Sequence, residues 1–160
     1  MTTRILAVCL GNICRSPTAE AVLRAIATQA GLDLELDSAG TGGWHAGEPP
    51  YGPAIRAGAA RGYDLAPLRA RQVTRADFDR FDLILVMDRA NLEDLERLRP
   101  AGNATPVRLF LSHAPETGTD EVPDPYYTRR FDEVLDLVEA AARGLVAQLQ
   151  TEAAKAPKAL

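Results

Sequence analysis

Five consecutive apolar residues, Leu83-Ile84-Leu85-Val86-Met87, are the segment that most restricts how this chain can fold. The run is too short for a buried helix, and it lacks the alternation of a strand with one wet face. It fits a strand covered on both faces, which in practice means a parallel sheet between layers of helices. Ile5-Leu6-Ala7-Val8 reads the same way, and residues 106–111 (Pro-Val-Arg-Leu-Phe-Leu) supply another strand. Residues 32–36 alternate apolar and acidic positions before Ser38-Ala39-Gly40-Thr41 and complete a set of four.

Helical patterns separate the runs. Residues 17–30 place Ala19, Val22, Leu23, Ile26 and Ala30 on one face, with Ser16 as N-cap, Pro17 as first residue and Gly31 as stop. Further helices are expected over residues 52–61, over 89–99 with Leu92, Leu95 and Leu98 inward, and over 128–150. The last carries the stripe Phe131, Val134, Leu135, Val138, Ala142, Leu145 and Leu149. Strand and helix alternate throughout, which predicts a three-layer α/β domain: an open four-stranded parallel sheet with helices on both faces. The expected domain spans residues 1–150, with a flexible tail at 151–160. Two connections, residues 39–51 and 112–127, are longer than packing requires, and each follows a strand. In an open parallel sheet the ligand crevice lies beyond the carboxyl ends of the strands, so both loops are directed there, as is Cys9.

Composition narrows the function classes. A chain of 160 residues with 25% charged residues and a net charge of -4 suits one folded domain and lacks the basic surface that nucleic acid requires. The two cysteines, Cys9 and Cys14, cannot build a disulfide framework or a four-cysteine zinc site. Their spacing, and the separation of His45 from His113, gives no metal-ligand pattern, so no metal and no other cofactor is expected. No targeting segment and no apolar run of membrane-spanning length is read, and the expectation is a cytoplasmic protein with reduced thiols that binds neither membrane nor nucleic acid.

The chemistry is concentrated in Val8-Cys9-Leu10-Gly11-Asn12-Ile13-Cys14-Arg15-Ser16-Pro17. A buried strand ends, a thiol follows, then a short turn, an arginine and a helix start. Unpaired backbone N–H groups of such a loop can point at one centre and bind an anion. Gly11 and Asn12 tolerate left-handed backbone angles and can curl the loop. Arg15 can grip two phosphate oxygens at once. The helix end, the inward N–H groups and the guanidinium all favour a thiolate at Cys9, placed for in-line attack on phosphorus.

This string resembles the phosphate-binding loop of the low-molecular-weight protein tyrosine phosphatases. Ser38-Ala39-Gly40-Thr41 with Trp44-His45 resembles that family's second loop, Met87-Asp88 with Asn91 its third-strand exit, and Asp124-Pro125-Tyr126-Tyr127 its general-acid loop. The resemblance implies a flavodoxin-like sheet order 2-1-3-4 and hydrolysis of phosphotyrosine in proteins, or of small aryl phosphates, in two steps. Cys9 would form a phosphocysteine, Arg15 would hold the phosphate, and Asp124 would act as acid and then base. Asp120 and Glu121 are nearby competitors for that last role. Activity is expected on the acidic side of neutral, with inorganic phosphate as product and competing ligand. The loop residues Leu10, Gly11, Asn12, Ile13, Cys14 and Ser16 would bind the phosphate, and Trp44, Tyr126 and Tyr127 would wall the aryl ring. Asn12 is expected to pin the loop, Ser16 to bond the nucleophile's sulfur, and His45 to serve as a loop hydrogen-bonder rather than a base. The family also implies a redox role for Cys14, as a disulfide partner that shields Cys9 from over-oxidation.

Three other readings use the same residues. Arsenate reduction on this scaffold needs further cysteines, and none follows Cys14. A protein arginine phosphatase typically has threonine where this chain has Ile13. A non-catalytic phosphate or phosphopeptide binder needs neither nucleophile nor acid. A monomer is the expected state for a domain of this size.

Overall fold

The computed structural model describes residues 2–155. Strand β1 (Thr3–Cys9) lies at the centre, with β2 (Leu34–Gly40) on one side and β3 (Leu83–Val86) then β4 (Val107–Leu109) on the other. All pairs are parallel, giving the expected order 2-1-3-4. The register sets Cys9 beside Gly40 and Val8 beside Val86, so the chain leaves β1, β2 and β3 at one edge.

The helices are α1 (Arg15–Gln29), α2 (Gly52–Ala60), α3 (Asp77–Arg80), α4 (Arg89–Leu98), α5 (Pro125–Thr128) and α6 (Phe131–Lys155). Side-chain alternation along β1 explains its unbroken apolar run. Ile5, Ala7 and Cys9 enter a core shared with α1 and α6, whereas Leu6 and Val8 enter one with Phe78, Phe81 and Leu95. Both faces are covered, and the nucleophile candidate lies on the α1–α6 side.

The structure differs from the sequence reading in several places. Strand β2 covers Leu34–Gly40 rather than residues 32–36, and α3 was not expected. Helix α1 begins at Arg15 rather than at residue 17, and its N-cap position is Cys14 with no side-chain cap. Ser16 is therefore not an N-cap, because its hydroxyl is taken up by Cys9 and Asn12. Strand β4 stops at Leu109. Phe110 and Leu111 leave the sheet in a 3₁₀ turn (Phe110–His113), where both side chains are buried in the α1–α6 core. Gly144 permits this approach, since a Cβ there would lie 1.9 Å from the His113 carbonyl oxygen. The expected helix at 128–150 is α6, which starts at Phe131; the short α5 (Pro125–Thr128) precedes it inside the expected loop, and Arg129, whose φ is 63°, stands between the two. Helix α6 then runs to Lys155, past the expected end at residue 150; the rest of the expected tail, residues 156–160, lies outside the described residues.

Candidate active site

The turn after β1 is shaped by Asn12, whose φ is 58°; Gly11 does not take a left-handed conformation, contrary to expectation. Glycine suits position 11 for another reason: a Cβ there would sit 3.1 Å from the His45 ring. The Asn12 side chain is buried and fully used. Its Nδ2 donates to Ser16 Oγ (2.7 Å) and Ser38 Oγ (3.0 Å), and its Oδ1 accepts from the Arg71 backbone N–H (3.0 Å). The anchors are themselves held. Ser38 donates to the buried Glu20 carboxylate at 2.8 Å, and the Arg71 guanidinium pairs with both oxygens of buried Asp77.

Two donors converge on the Cys9 sulfur. The Asn12 N–H donates at 3.3 Å, and Ser16 Oγ lies at 3.0 Å. Ser16 accepts from Asn12 Nδ2, so its single proton is left to donate to Cys9 Sγ; its other neighbour, the Ala39 carbonyl, is 3.4 Å away.

Arg15 is buried, with its side chain only 3% exposed. Its Nη1 donates to Asp88 Oδ2 at 2.6 Å and to the Val122 carbonyl at 3.0 Å. That uses both Nη1 hydrogens and leaves the Nε–Nη2 edge for a paired grip on two oxygens. Burial works against the guanidinium charge. Negative charge at Cys9, the bond and charge of Asp88, and the charge of Asp124 outweigh it, and Arg15 titrates above its usual value.

Asp124 is the N-cap of α5. Its Oδ1 accepts from the Tyr126 N–H at 3.1 Å, and Oδ2 lies 3.6 Å from Arg15 Nη2. The two nearby acids face elsewhere: Asp120 pairs with the Arg89 guanidinium, and Glu121 accepts from the Arg89 backbone N–H at 2.8 Å.

A cleft of about 370 Å³ joins these groups. Cys9, Leu10, Gly11, Ile13, Cys14 and Arg15 form its base, and Asp124 stands on its wall with His45. Trp44, Tyr126 and Tyr127 form the rest of the wall and are exposed. Of the expected substrate-binding residues, Asn12 and Ser16 do not line the cleft; their side chains sit behind the loop as its anchors. Trp44 lies across Gly42, where a Cβ would overlap the indole at 1.4 Å. His45 Nδ1 bonds Glu48 at 2.6 Å, which suits the expected loop role.

Cys14 is a free, buried thiol, as is Cys9. Burial, then the charges of Cys9 and Asp124, push its titration up to about 12. Among the described residues no group of three or more His, Cys, Asp or Glu is arranged to hold a metal ion, and no helix is long and apolar enough to cross a membrane.

Sequence reasoning missed several supports. The Asp88–Arg15 ion pair was hidden inside a motif whose Asp also caps α4 in a capping box with Asn91. Glu20 reads as a surface residue of an amphipathic helix. Tyr51 gave no signal, yet its N–H donates to the Ile13 carbonyl at 2.8 Å and its ring packs 5.3 Å from Tyr126.

A family model for low molecular weight phosphotyrosine protein phosphatase matches residues 4–155. The chain is 47% identical over 161 residues to a low molecular weight protein-tyrosine-phosphatase of Streptomyces coelicolor, covering 95% of this chain and 96% of that one. It is 40% identical over 150 residues to the low molecular weight protein-tyrosine-phosphatase YfkJ of Bacillus subtilis, covering 92% and 96%. The YfkJ crystal structure matches with a TM-score of 0.90 over 95% of this chain and 97% of that one. The crystal structure of a Drosophila arginine phosphatase matches with a TM-score of 0.86 at 27% identity, covering 91% and 97%.

Proposed function

This chain belongs to the low molecular weight phosphotyrosine protein phosphatase family and is a phosphatase, and from that premise we propose that it hydrolyses phosphotyrosine in proteins, and small aryl phosphates, through a phosphocysteine at Cys9. One observation carries the reading: Cys9, Arg15 and Asp124 line a single cleft whose outer walls are Trp44, Tyr126 and Tyr127.

In this mechanism the Cys9 thiolate attacks phosphorus as the bond to the phenolic oxygen breaks. The Nε–Nη2 edge of Arg15 and the loop N–H groups hold the equatorial oxygens as charge develops. Asp124, protonated, gives its proton to the departing oxygen. Its Oδ1 is occupied by the Tyr126 N–H, so Oδ2 carries the transferable proton. Water then attacks the phosphocysteine, Asp124 takes a proton from it, and the thiolate leaves with the Ser16 hydroxyl donating to it. Inorganic phosphate departs and competes for the same loop.

Cys14 serves as a redox guard in this reading. Peroxide converts the Cys9 thiolate to a sulfenic acid, and the Cys14 thiol attacks its sulfur, forming a disulfide and releasing water. Loss of the Cys9 charge removes one of the influences that hold Cys14 protonated. The compartment that fits reduced thiols is the cytoplasm, and the working form is a monomer.

The likeness to an arginine phosphatase favours a second reading, phosphoarginine hydrolysis. Ile13 at the base and three aromatic walls favour a flat apolar ring over a guanidine. Kinetics on matched phosphotyrosine and phosphoarginine peptides decide between them. The proposal expects kcat/KM to favour phosphotyrosine and to vanish in Cys9→Ser; preference for phosphoarginine, or retained activity in that variant, would overturn it.

A further inference from the structure

A second hollow, of about 320 Å³, adjoins the cleft. Ile13, His45 and Tyr126 line both spaces, so the two are contiguous. Glu48, Pro49, Pro50, Tyr51 and Gly52 complete its lining. We propose that this hollow is a specificity subsite that receives an apolar side chain lying one or two residues from the phosphotyrosine of the substrate protein. The inference rests on the phosphotyrosine reading above.

Three features support it. Continuity is the first: with adjacent Cα atoms about 3.8 Å apart, a neighbouring side chain reaches across Tyr126 while the phosphotyrosine ring fills the cleft. Chemistry is the second. Apart from the tyrosine hydroxyls, the polar side chains of the lining are His45 and Glu48, and those two are bonded to each other at 2.6 Å, so the one carboxylate at the rim already has a partner. A basic side chain would have to compete for it. Rigidity is the third. Tyr51 is fixed at four points: its N–H on the Ile13 carbonyl, its ring against Tyr126 and Phe131, and its hydroxyl accepting from Arg129 Nη1 at 2.6 Å. A wall held this way discriminates by shape instead of yielding to any occupant.

The test uses phosphotyrosine peptides carrying Leu, Lys or Asp at each of the two positions on either side, with phosphotyrosine itself and p-nitrophenyl phosphate as controls. The expected result is a kcat/KM about tenfold higher for Leu than for Asp or Lys at one position, the size of effect a single apolar pocket supplies. Gly52 also lines the hollow, and a Cβ there meets only the flexible Arg56 guanidinium, at 3.3 Å. Gly52→Leu adds an apolar side chain to the hollow's lining and should remove most of the Leu preference while leaving p-nitrophenyl phosphate turnover within about twofold. Because Gly52 precedes Pro53, Pro49→Asp at an exposed position provides an independent variant and should abolish the same preference. Equal rates on all flanking residues, with the peptides still hydrolysed, would overturn the subsite alone, as would a preference for Lys. Turnover of p-nitrophenyl phosphate without turnover of any phosphotyrosine peptide would instead overturn the phosphotyrosine reading, and the subsite with it.

Discussion

Asn12 concentrates the energetics of the phosphate loop in one side chain, and its removal can be worked out in advance. It is 2% exposed and makes three side-chain hydrogen bonds, to Ser16, Ser38 and the Arg71 N–H. A net bond contributes roughly 1 kcal/mol, so Asn12→Ala loses about 3 kcal/mol on this account. Alanine also suffers at φ of 58°, by about 1–2 kcal/mol. The total, roughly 4–5 kcal/mol, is a large part of an ordinary domain's stability. Asn12→Gly loses the same bonds without that strain, but glycine gains about 0.4–1 kcal/mol of unfolded-chain entropy. Glycine should therefore be the milder change by about 0.5–1 kcal/mol, the reverse of what helix or strand propensity would give. Urea unfolding of the three proteins, with equal slopes, measures both differences. A loss under about 1 kcal/mol in Asn12→Ala would refute the anchoring role, and alanine milder than glycine would refute the strain argument.

Asp88→Asn keeps a capping side chain for α4 but withdraws the charge facing Arg15. Its one amide oxygen is needed by the Asn91 N–H, so an NH2 group faces Arg15 Nη1 and a charged bond contributing about 1.5–3 kcal/mol is lost. Tm should drop by about 3–10 °C, and kcat/KM on aryl phosphates should fall roughly tenfold. Gly42→Ala forces Trp44 off its seat; since this is the chain's only tryptophan, its fluorescence should shift, while kcat/KM falls about two- to tenfold. Burial holds His113 below its usual titration, against a smaller opposing bond with Gln148. The unfolded chain then takes up the proton first as pH drops below 6.5, so stability declines below that pH. His113→Gln should flatten the decline between neutral and acidic urea titrations; an unchanged slope would show that other groups cause it.

The sheet and the chemistry were legible for different reasons. Apolar runs such as Leu83–Val86 announce strands buried on both faces because no alternative element tolerates them. Cys9, Arg15 and Asp124 stood in motifs whose residue types are uncommon in combination, and all three line one cleft. What stayed hidden depends on contacts distant in sequence. Asp88 and Arg15 are 73 residues apart, and Tyr51 and Arg129 are 78 apart. Ser16 misled for a related reason. A serine before proline at a helix start suggests a cap, and only the tertiary position of Cys9 and Asn12 shows that its hydroxyl is engaged elsewhere. The break between α5 and α6 turns on one backbone angle at Arg129, which a residue type so tolerant of helix does not signal.

A covalent phosphocysteine at Cys9 is the intermediate on which the mechanism depends, and trapping it is the test. In Asp124→Ala, a good leaving group such as p-nitrophenolate departs without a proton donor, whereas water lacks its base in the second step. Acid quench of that variant on p-nitrophenyl phosphate, followed by peptide mass analysis, should find one phosphoryl group on Cys9 and none in the variant that also carries Cys9→Ser. Phosphate on another residue, or turnover with no covalent species under single-turnover conditions, would contradict the mechanism.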